Sequence, residues 1–560
     1  MSVTAKPHKL LIFFLLLTSF SSWSQFYPAN GNHLNFTSVC FEFPWMNKAV
    51  SYQIRLINEQ TKETTTYTCE SNKLVVNDLS FGSSYSWSVS ALDRRKNQLS
   101  VSPMTRFTID AYNREHLRFR GITNNERKRS SELMIFDYSK VMIDHDLETV
   151  WFLPSLPFLK SNSGLRDLKL TQDGTFLVII DSNAYELSPT GKILWKAPND
   201  GQVSGGTGED YHHDLQKLPS GNYMVLGNET VKRAFPGKSD SVKFQIGTII
   251  EYSPKGKVVW EWHAKDFFTN EVLARAGSRD KGVGTATHMN ALSVDGTNIY
   301  IGFRDVSWIL KIDKTTKKVT EIYGGPDSGR PNHYAKGLFR FQHSATLLRD
   351  GSMAIINNDS IKDPAVFSSM VIFSLGEAPF GKGEERFRFL FNYDSLSSGK
   401  TQKMGNVSQL KNGNFLINMG SLNRVCEITP KGEVVWDLFV EKHDSVKESW
   451  KPFSQYRVAV ATSLYPNEFS AKWEPDAAKG NYLDGKLTIY NVGSEPNSYS
   501  VFSEHRDGSK KLLATLPVVL PQQSTQAAVS IPRELISEQT RIVIRVNEKS
   551  YYEVLNIENW

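Results

Sequence analysis

Three histidines stand at one position of a repeated unit. Counting back eight residues from the turn glycines Gly174, Gly221, Gly296, Gly351 and Gly413 gives Arg166, His213, His288, His343 and Gly405. The chain holds only 12 histidines in 560 residues, so three at one register in consecutive units is a pattern rather than scatter. A lone histidine in a β protein is usually structural; three that converge can act together. Two chemistries use such a set. One is a metal site, since imidazole suits zinc, copper or iron. The other is transfer of an anionic group, one ring serving as nucleophile and the others as hydrogen-bond donors. Arg304, in the stretch IGFRDVSW that follows His288, favours the anion. A guanidinium is repelled by a metal dication, whereas its planar fork suits a sulfate or phosphate. The structural alternative for Arg304 is a surface ion pair with Asp305. His212 adjoins His213, and on a strand the two would point to opposite faces; the register selects His213.

The elements that must position these residues are β-strands. One unit recurs, an alternating strand, a turn ending in glycine and a second apolar strand: LRDLKLTQDGTFLVII (165–180), HDLQKLPSGNYMVLG (213–227), HMNALSVDGTNIYIGF (288–303), HSATLLRDGSMAIIN (343–357) and GNVSQLKNGNFLINMG (405–420). Asp-Gly, Ser-Gly and Asn-Gly between β-rich runs are hairpin signals. Most copies are followed by a second hairpin ending in tryptophan, as in ELSPTGKILW, EYSPKGKVVW and EITPKGEVVW. Two hairpins make a four-stranded antiparallel sheet, and such sheets in series are the signature of propeller blades. The expected fold is all-β, a six-bladed β-propeller over 113–474. Its sixth blade is assembled from MIFDYSKVMIDHDLETVW (134–151) and YRVAVATSLYP (456–466), strands from both ends of the ring. First strands of propeller blades line the central channel, so the three histidines should face one axis. Residues 25–112 read as an N-terminal fibronectin/Ig-like β-sandwich, and 475–560 as a small C-terminal β-sandwich.

The stretches HHDLQKLPSGNYMVL, THMNALSVDGTNIYIGFRDVSWILKID and FQHSATLLRDGSMAIIN resemble the bacterial arylsulfate sulfotransferase family, and the likeness in pattern covers roughly 130–470. The resemblance implies a six-bladed propeller behind an N-terminal β-sandwich, with the site in the central channel. It also implies transfer of a sulfuryl group from a phenolic sulfate ester to a phenol without a nucleotide donor. By the same resemblance His343, in Gln342-His343-Ser344-Ala345, is the ring that becomes sulfated. The family's His-x-Asn motif falls on His288-Met289-Asn290, its arginine on Arg304 and its His-Asp motif on His213-Asp214. His288, Arg304 and Asn290 would then hold the sulfuryl oxygens, and His213 would act as proton donor or further oxygen ligand. No metal or other cofactor is expected; the implied partners are a small phenolic sulfate donor and a phenolic acceptor. Tyr211, Phe303, Trp308 and Phe341 are candidates to stack on an aryl ring, with ordinary core as the alternative for each.

Composition narrows the remaining classes. Hydrophobic residues at 40% and charged residues at 22% describe a globular chain. A net charge of +6 with no long basic run speaks against nucleic acid. Lys6 and Lys9 precede the apolar run Leu10 to Leu17 and small residues up to Ser24, which reads as a signal peptide over 1–24. Its removal would lower the charge from +6 to +4, as two lysines leave. The expected location is periplasmic or secreted, with no membrane span. Cys40 and Cys69 lie close enough in sequence to pair in an oxidising compartment, and Cys426 reads as a buried thiol. Three other functions fit parts of the pattern. A non-enzymatic propeller binding glycan or protein in the cell envelope is the plainest. A quinoprotein dehydrogenase would need eight blades, and a metal-dependent hydrolase or lyase would need a transition metal.

Overall fold

The computed structural model describes residues 26–160, 163–234, 241–276, 283–285, 287–359, 367–391, 399–476, 481–504, 509–532, 541–547 and 552–556. The expected signal peptide lies outside them. The protein is all-β: the only α-helix among the described residues is the seven-residue Asn270–Ala276.

Six sheets carry a four-stranded antiparallel path in which each strand pairs with the next in sequence, save at one seam. The second is Leu165–Leu170, Phe176–Ile180, Asn183–Leu187 and Ile193–Lys196. The third runs from Leu215–Lys217 to Val258–His263, the fourth from Met289–Asp295 to Val319–Tyr323, and the fifth from His343–Leu347 to Glu385–Leu390. The sixth begins at Asn406–Gln409 and includes Val434–Asp444. The turn glycines used above as anchors all take left-handed φ, from +56 to +89°. At Gly174 the approach is also close, since a Cβ there would meet the Leu464 carbonyl oxygen at 2.8 Å.

The first sheet is the seam. Leu133–Phe136 pairs with Val141–Ile143 on one side and with Val458–Ala461 on the other, joining the two ends of the series. The sequence suggests that pairing. It does not suggest a second interlock, in which Leu117–Thr123 pairs with Val434–Asp444 of the sixth sheet.

The inner strands are tied to one another in chain order. The Leu215 amide donates to Asp167 Oδ2 (2.9 Å) and the Leu292 amide to Asp214 Oδ2 (3.0 Å). Asn290 Nδ2 donates to the Gln342 carbonyl (2.7 Å), and the Val407 amide to Ser344 Oγ (3.1 Å). The Val458 amide donates to Asn406 Oδ1 (2.8 Å), and Arg457 Nη1 returns to Asp167 Oδ1 (2.7 Å). Apolar residues of adjacent sheets fill the wedges between them; Trp195 stacks on Tyr223 of the next sheet with ring centroids 3.7 Å apart.

Ahead of this series, a six-stranded sheet containing Ser51–Asn58 and Ser84–Leu92 faces the pair Val39–Glu42 and Lys73–Val76. They share a core with the first two sheets, around Phe41, Trp87, Ile135, Trp151 and Phe176. Behind it, Phe469–Pro475, Tyr482–Asn491 and Ser524–Pro532 form one sheet. A second sheet, built on Asn497–Glu504, closes a separate core around Trp473, Ile489, Val501 and Ile544. Cys40, Cys69 and Cys426 are free thiols, so the Cys40–Cys69 pairing considered from the sequence is not made. Burial pushes the Cys69 thiol up to about 12 and that of Cys40 well above its usual value.

Asn406 should be the weak point of the seam. Its side chain serves both the amide and the carbonyl of Val458 (2.8 and 2.9 Å). Asn406→Ala strands both groups in a buried site, at a cost of about 1–3 kcal/mol. A lowered urea midpoint with earlier proteolytic cleavage near the seam is the expected result.

Candidate active site

The register residues meet as the sequence predicts, but through an unexpected backbone. His213 and His288 take left-handed φ of +63 and +48°. Elsewhere at the same level Asp167 (+56°), Ser344 (+60°) and Gly405 (+98°) do likewise. Non-glycine residues rarely adopt this region unless their surroundings impose it, and such residues cluster at functional sites. One effect is that strand alternation fails at His212. The third sheet's inner strand starts only at Leu215, and the turn at His213 brings the two rings together, Nδ1 to Nδ1, at 2.6 Å. The expectation of opposite faces is therefore corrected.

His213 and His288 have ring centroids 5.0 Å apart, edge to face. His343 lies across the ring of Tyr456, which is 6.3 Å from it and 5.6 Å from His213. His343 is buried, and its Nδ1 is 2.7 Å from Asn358 Oδ1. Asn358 Nδ2 donates to the carbonyls of Thr401 (2.8 Å) and Met404 (3.3 Å), which turns Oδ1 towards the histidine. Nδ1 of His343 must then carry the proton, and Nε2 keeps a lone pair.

Burial is the main reason that His343 is depressed to about 3, with His288, Arg304 and Arg457 adding repulsion against the Asn358 bond that opposes them. Burial likewise takes His212 down to about 4, with His288 next, and holds His213 well below the ordinary value, with His212 and His288 next. All three rings are neutral at neutral pH.

Arg304 is buried, not on the surface. Its amide donates to the His288 carbonyl (3.0 Å), and its guanidinium pairs with the equally buried Asp305 through Nη1 (2.7 Å). The guanidinium carbon lies 5.6 Å from the Phe341 ring, and Nε is buried without a hydrogen-bond partner among the described residues. Asn290 spends its Nδ2 on the Gln342 carbonyl, and its Oδ1 fits against Gly302, where a Cβ would come within 3.0 Å. Of the four aromatic candidates only Phe341 keeps an open side. Tyr211, Phe303 and Trp308 are core, Tyr211 bonding the Tyr252 hydroxyl at 2.7 Å.

Under the rings lies a buried cluster of four charges. Arg457 Nη1 contacts Asp167 Oδ1 (2.7 Å) and Asp214 Oδ2 (2.8 Å), and Lys169 Nζ lies 2.9 Å from each of the same two carboxylates. Arg457 Nη2 donates to the Asn290 carbonyl (3.0 Å). Burial alone would raise Asp214, but Arg457 and Lys169 hold it below its usual range. A third carboxylate, Asp137, is fully buried and accepts the amides of Tyr456 (3.1 Å) and Arg457 (2.9 Å). The cluster also lines a cavity of about 300 Å³ to which all six inner strands contribute and the three histidines do not.

Tyr456, Asn358 and Arg457 were not singled out from the sequence. Tyr456 lies two residues ahead of the seam strand, where no turn glycine supplies a register. Asn358 immediately follows the second strand of the His343 hairpin, and that proximity was the only signal. No group of three or more His, Cys, Asp or Glu among the described residues is arranged to hold a metal.

Neutral imidazoles beside a buried guanidinium make a site chemically suited to holding an anion. Residues 122–365 match the family model described as Arylsulfotransferase (ASST). Comparison with curated proteins gives no match. Among solved structures, the chain is similar to an Escherichia coli alpha-2-macroglobulin activated by porcine elastase, at 9% identity over 94% of this chain and 43% of that one, with a TM-score of 0.14. A Salmonella alpha-2-macroglobulin mutant gives 9% identity, 94% and 39% coverage, and a TM-score of 0.17. The chain spans less than half the length of either, and likeness at these scores carries no argument about its fold or activity.

Two predictions follow from the site. Arg457→Met leaves Asp167 and Asp214 buried against a single lysine and should destabilise the protein by about 3–5 kcal/mol in urea unfolding. His343 stays neutral in the folded protein down to about pH 3, whereas the unfolded imidazole takes up a proton below about 6.5. Its contribution to stability is therefore present above pH 6.5 and is lost as the pH falls. Between pH 6.5 and 4.5 the His343→Gln protein should lose about 2 kcal/mol less than the parent in the same measurement.

Proposed function

We propose that the protein is an aryl-sulfate sulfotransferase that works through a sulfohistidine at His343. The observation that carries the reading is the buried, unpartnered Nε of Arg304 in a site of neutral imidazoles, within a span that matches the arylsulfotransferase family. A buried cationic donor without a partner is costly unless an anion completes it. The six sheets are read as the blades of a six-bladed propeller over 113–474, supported by the inner-strand ties that run from Asp167 round to Arg457 and back. Residues 25–112 and 475–560 are read as Ig-like and small C-terminal sandwiches. A cleaved signal peptide over 1–24 and a periplasmic or secreted location complete the proposal.

In the first step the Nε2 lone pair of His343 forms a bond to sulfur as the bond from sulfur to the aryl oxygen breaks, and the phenoxide leaves with that electron pair. Arg304 and His288 face the sulfuryl oxygens, whose charge is greatest in the transition state. In the second step a phenol oxygen attacks sulfur, its proton passes to a base, and the electron pair of the N–S bond returns to Nε2. Asn290, bound to the Gln342 carbonyl, fixes the backbone from which His343 projects. Phe341, beneath Arg304, is the aromatic surface placed to stack on an aryl ring.

A single-turnover reaction with 4-nitrophenyl sulfate, followed by intact-mass analysis, tests this. A stoichiometric burst of nitrophenol with one sulfuryl increment on the His343 peptide, discharged by added phenol, is expected. His343→Asn should give neither burst nor increment, and Arg304→Gln should slow the burst by 10²-fold or more, since a preorganised donor contributes about 3 kcal/mol. Unmodified protein and no burst across several aryl sulfates would overturn the reading.

A further inference from the structure

We infer that His212 is a positioning residue: its Nδ1 accepts the proton-bearing Nδ1 of His213, so that the bare Nε2 of His213 faces the centre and takes the proton of the incoming phenol. The inference rests on the sulfotransferase reading and assigns the base that reading leaves open.

The assignment follows from counting protons along a chain of contacts. His212 Nε2 lies 3.2 Å from the Gly227 carbonyl, and a carbonyl only accepts, so Nε2 of His212 carries hydrogen. A neutral ring holds one N–H, which leaves Nδ1 of His212 as an acceptor. That atom is 2.6 Å from Nδ1 of His213, so the hydrogen between them belongs to His213. Nε2 of His213, on the other side of the ring, is then unprotonated. The His213 ring stands 5.0 Å from that of His288 and 5.6 Å from that of Tyr456, among the groups that surround the reaction centre. A backbone carbonyl thus sets the tautomer of His213 through His212, as Asn358 sets that of His343. The left-handed φ of His213 makes the contact possible, because an extended residue there would turn the rings apart.

The arrangement also explains when the base becomes active. In the free site burial and the neighbouring imidazoles keep His213 neutral. A sulfuryl group on His343 brings negative oxygens beside it, and opposite charge favours proton uptake. As the phenol oxygen bonds to sulfur, its proton moves to Nε2 of His213, and the N–S bond pair returns to His343. Loss of 4-nitrophenoxide in the first step needs no proton, because that anion is stable near neutrality. The two half-reactions should therefore depend differently on His212.

The test compares His212→Phe, which keeps a ring without an acceptor, with His212→Asn, whose Oδ1 can sit where Nδ1 was. Both are assayed for the 4-nitrophenol burst and, separately, for discharge of the sulfated enzyme by unsubstituted phenol. For His212→Phe, discharge should fall by about 10²-fold, in the range of general-base contributions, and at least tenfold more than the burst falls. His212→Asn should recover most of the loss. Equal losses in both half-reactions, equal losses in both variants, or unchanged discharge would each overturn the role of His212. Failure of the parent protein to give a burst would instead overturn the sulfotransferase reading.

Discussion

Four charges buried against one another are the constraint on which the site depends. Taking Asp167, Lys169, Asp214 and Arg457 out of water is expensive, and the cost is met only if each charge is paired in good geometry. Here every carboxylate sees both cations and the net charge is zero. The cluster joins the inner strands of the second and third sheets to the seam strand, and Arg457 reaches the Asn290 carbonyl of the fourth. Three of the four sit beside a residue at the site, Asp167 next to Arg166, Asp214 next to His213 and Arg457 next to Tyr456, and the Asn290 that Arg457 reaches lies two residues beyond His288. The pairing that stabilises the cluster therefore also fixes where the neighbouring rings stand.

The rings themselves are prepared from behind. Burial and nearby cations keep His343 neutral, and Asn358 chooses which of its nitrogens is free. Asn358 is in turn held by two carbonyls of the segment leading to the sixth sheet. The same logic gives Arg304 its direction, since Asp305 and the Gln402 carbonyl hold its two terminal nitrogens and leave Nε without a partner among the described residues. Reactive groups held this way need little reorganisation when a substrate arrives.

Periodicity made the repeat, its turns, the seam strand and the three register histidines legible, because a β-hairpin with a left-handed glycine writes both its strands and its turn into the sequence. What periodicity could not write was anything set by contacts between sheets. Asn358 and Arg457 act on partners dozens to hundreds of residues away, 43 for Asn358 with Thr401 and 290 for Arg457 with Asp167. The pairing of Leu117–Thr123 with the sixth sheet was missed for the same reason. His212 was misjudged because alternation holds only within strands, and a residue with φ of +63° ends it. Tyr211, Phe303 and Trp308 show the opposite limit: aromatic type alone does not distinguish a ring that fills a wedge from one that faces a ligand.

The seam has a consequence in time as well as in space. Asp137 holds the amide of Tyr456 across 319 residues, and Leu133–Phe136 waits for Val458–Ala461 as its fourth strand. A chain emerging in order would therefore expose the unpaired edge of Leu133–Phe136 until the other five sheets of the series had been made. The candidate site, which includes Tyr456 and Arg457, would form only after the other five sheets of the series. A chain ending before Val458–Ala461 would carry all three histidines and still lack Tyr456, Arg457 and the fourth strand of the first sheet.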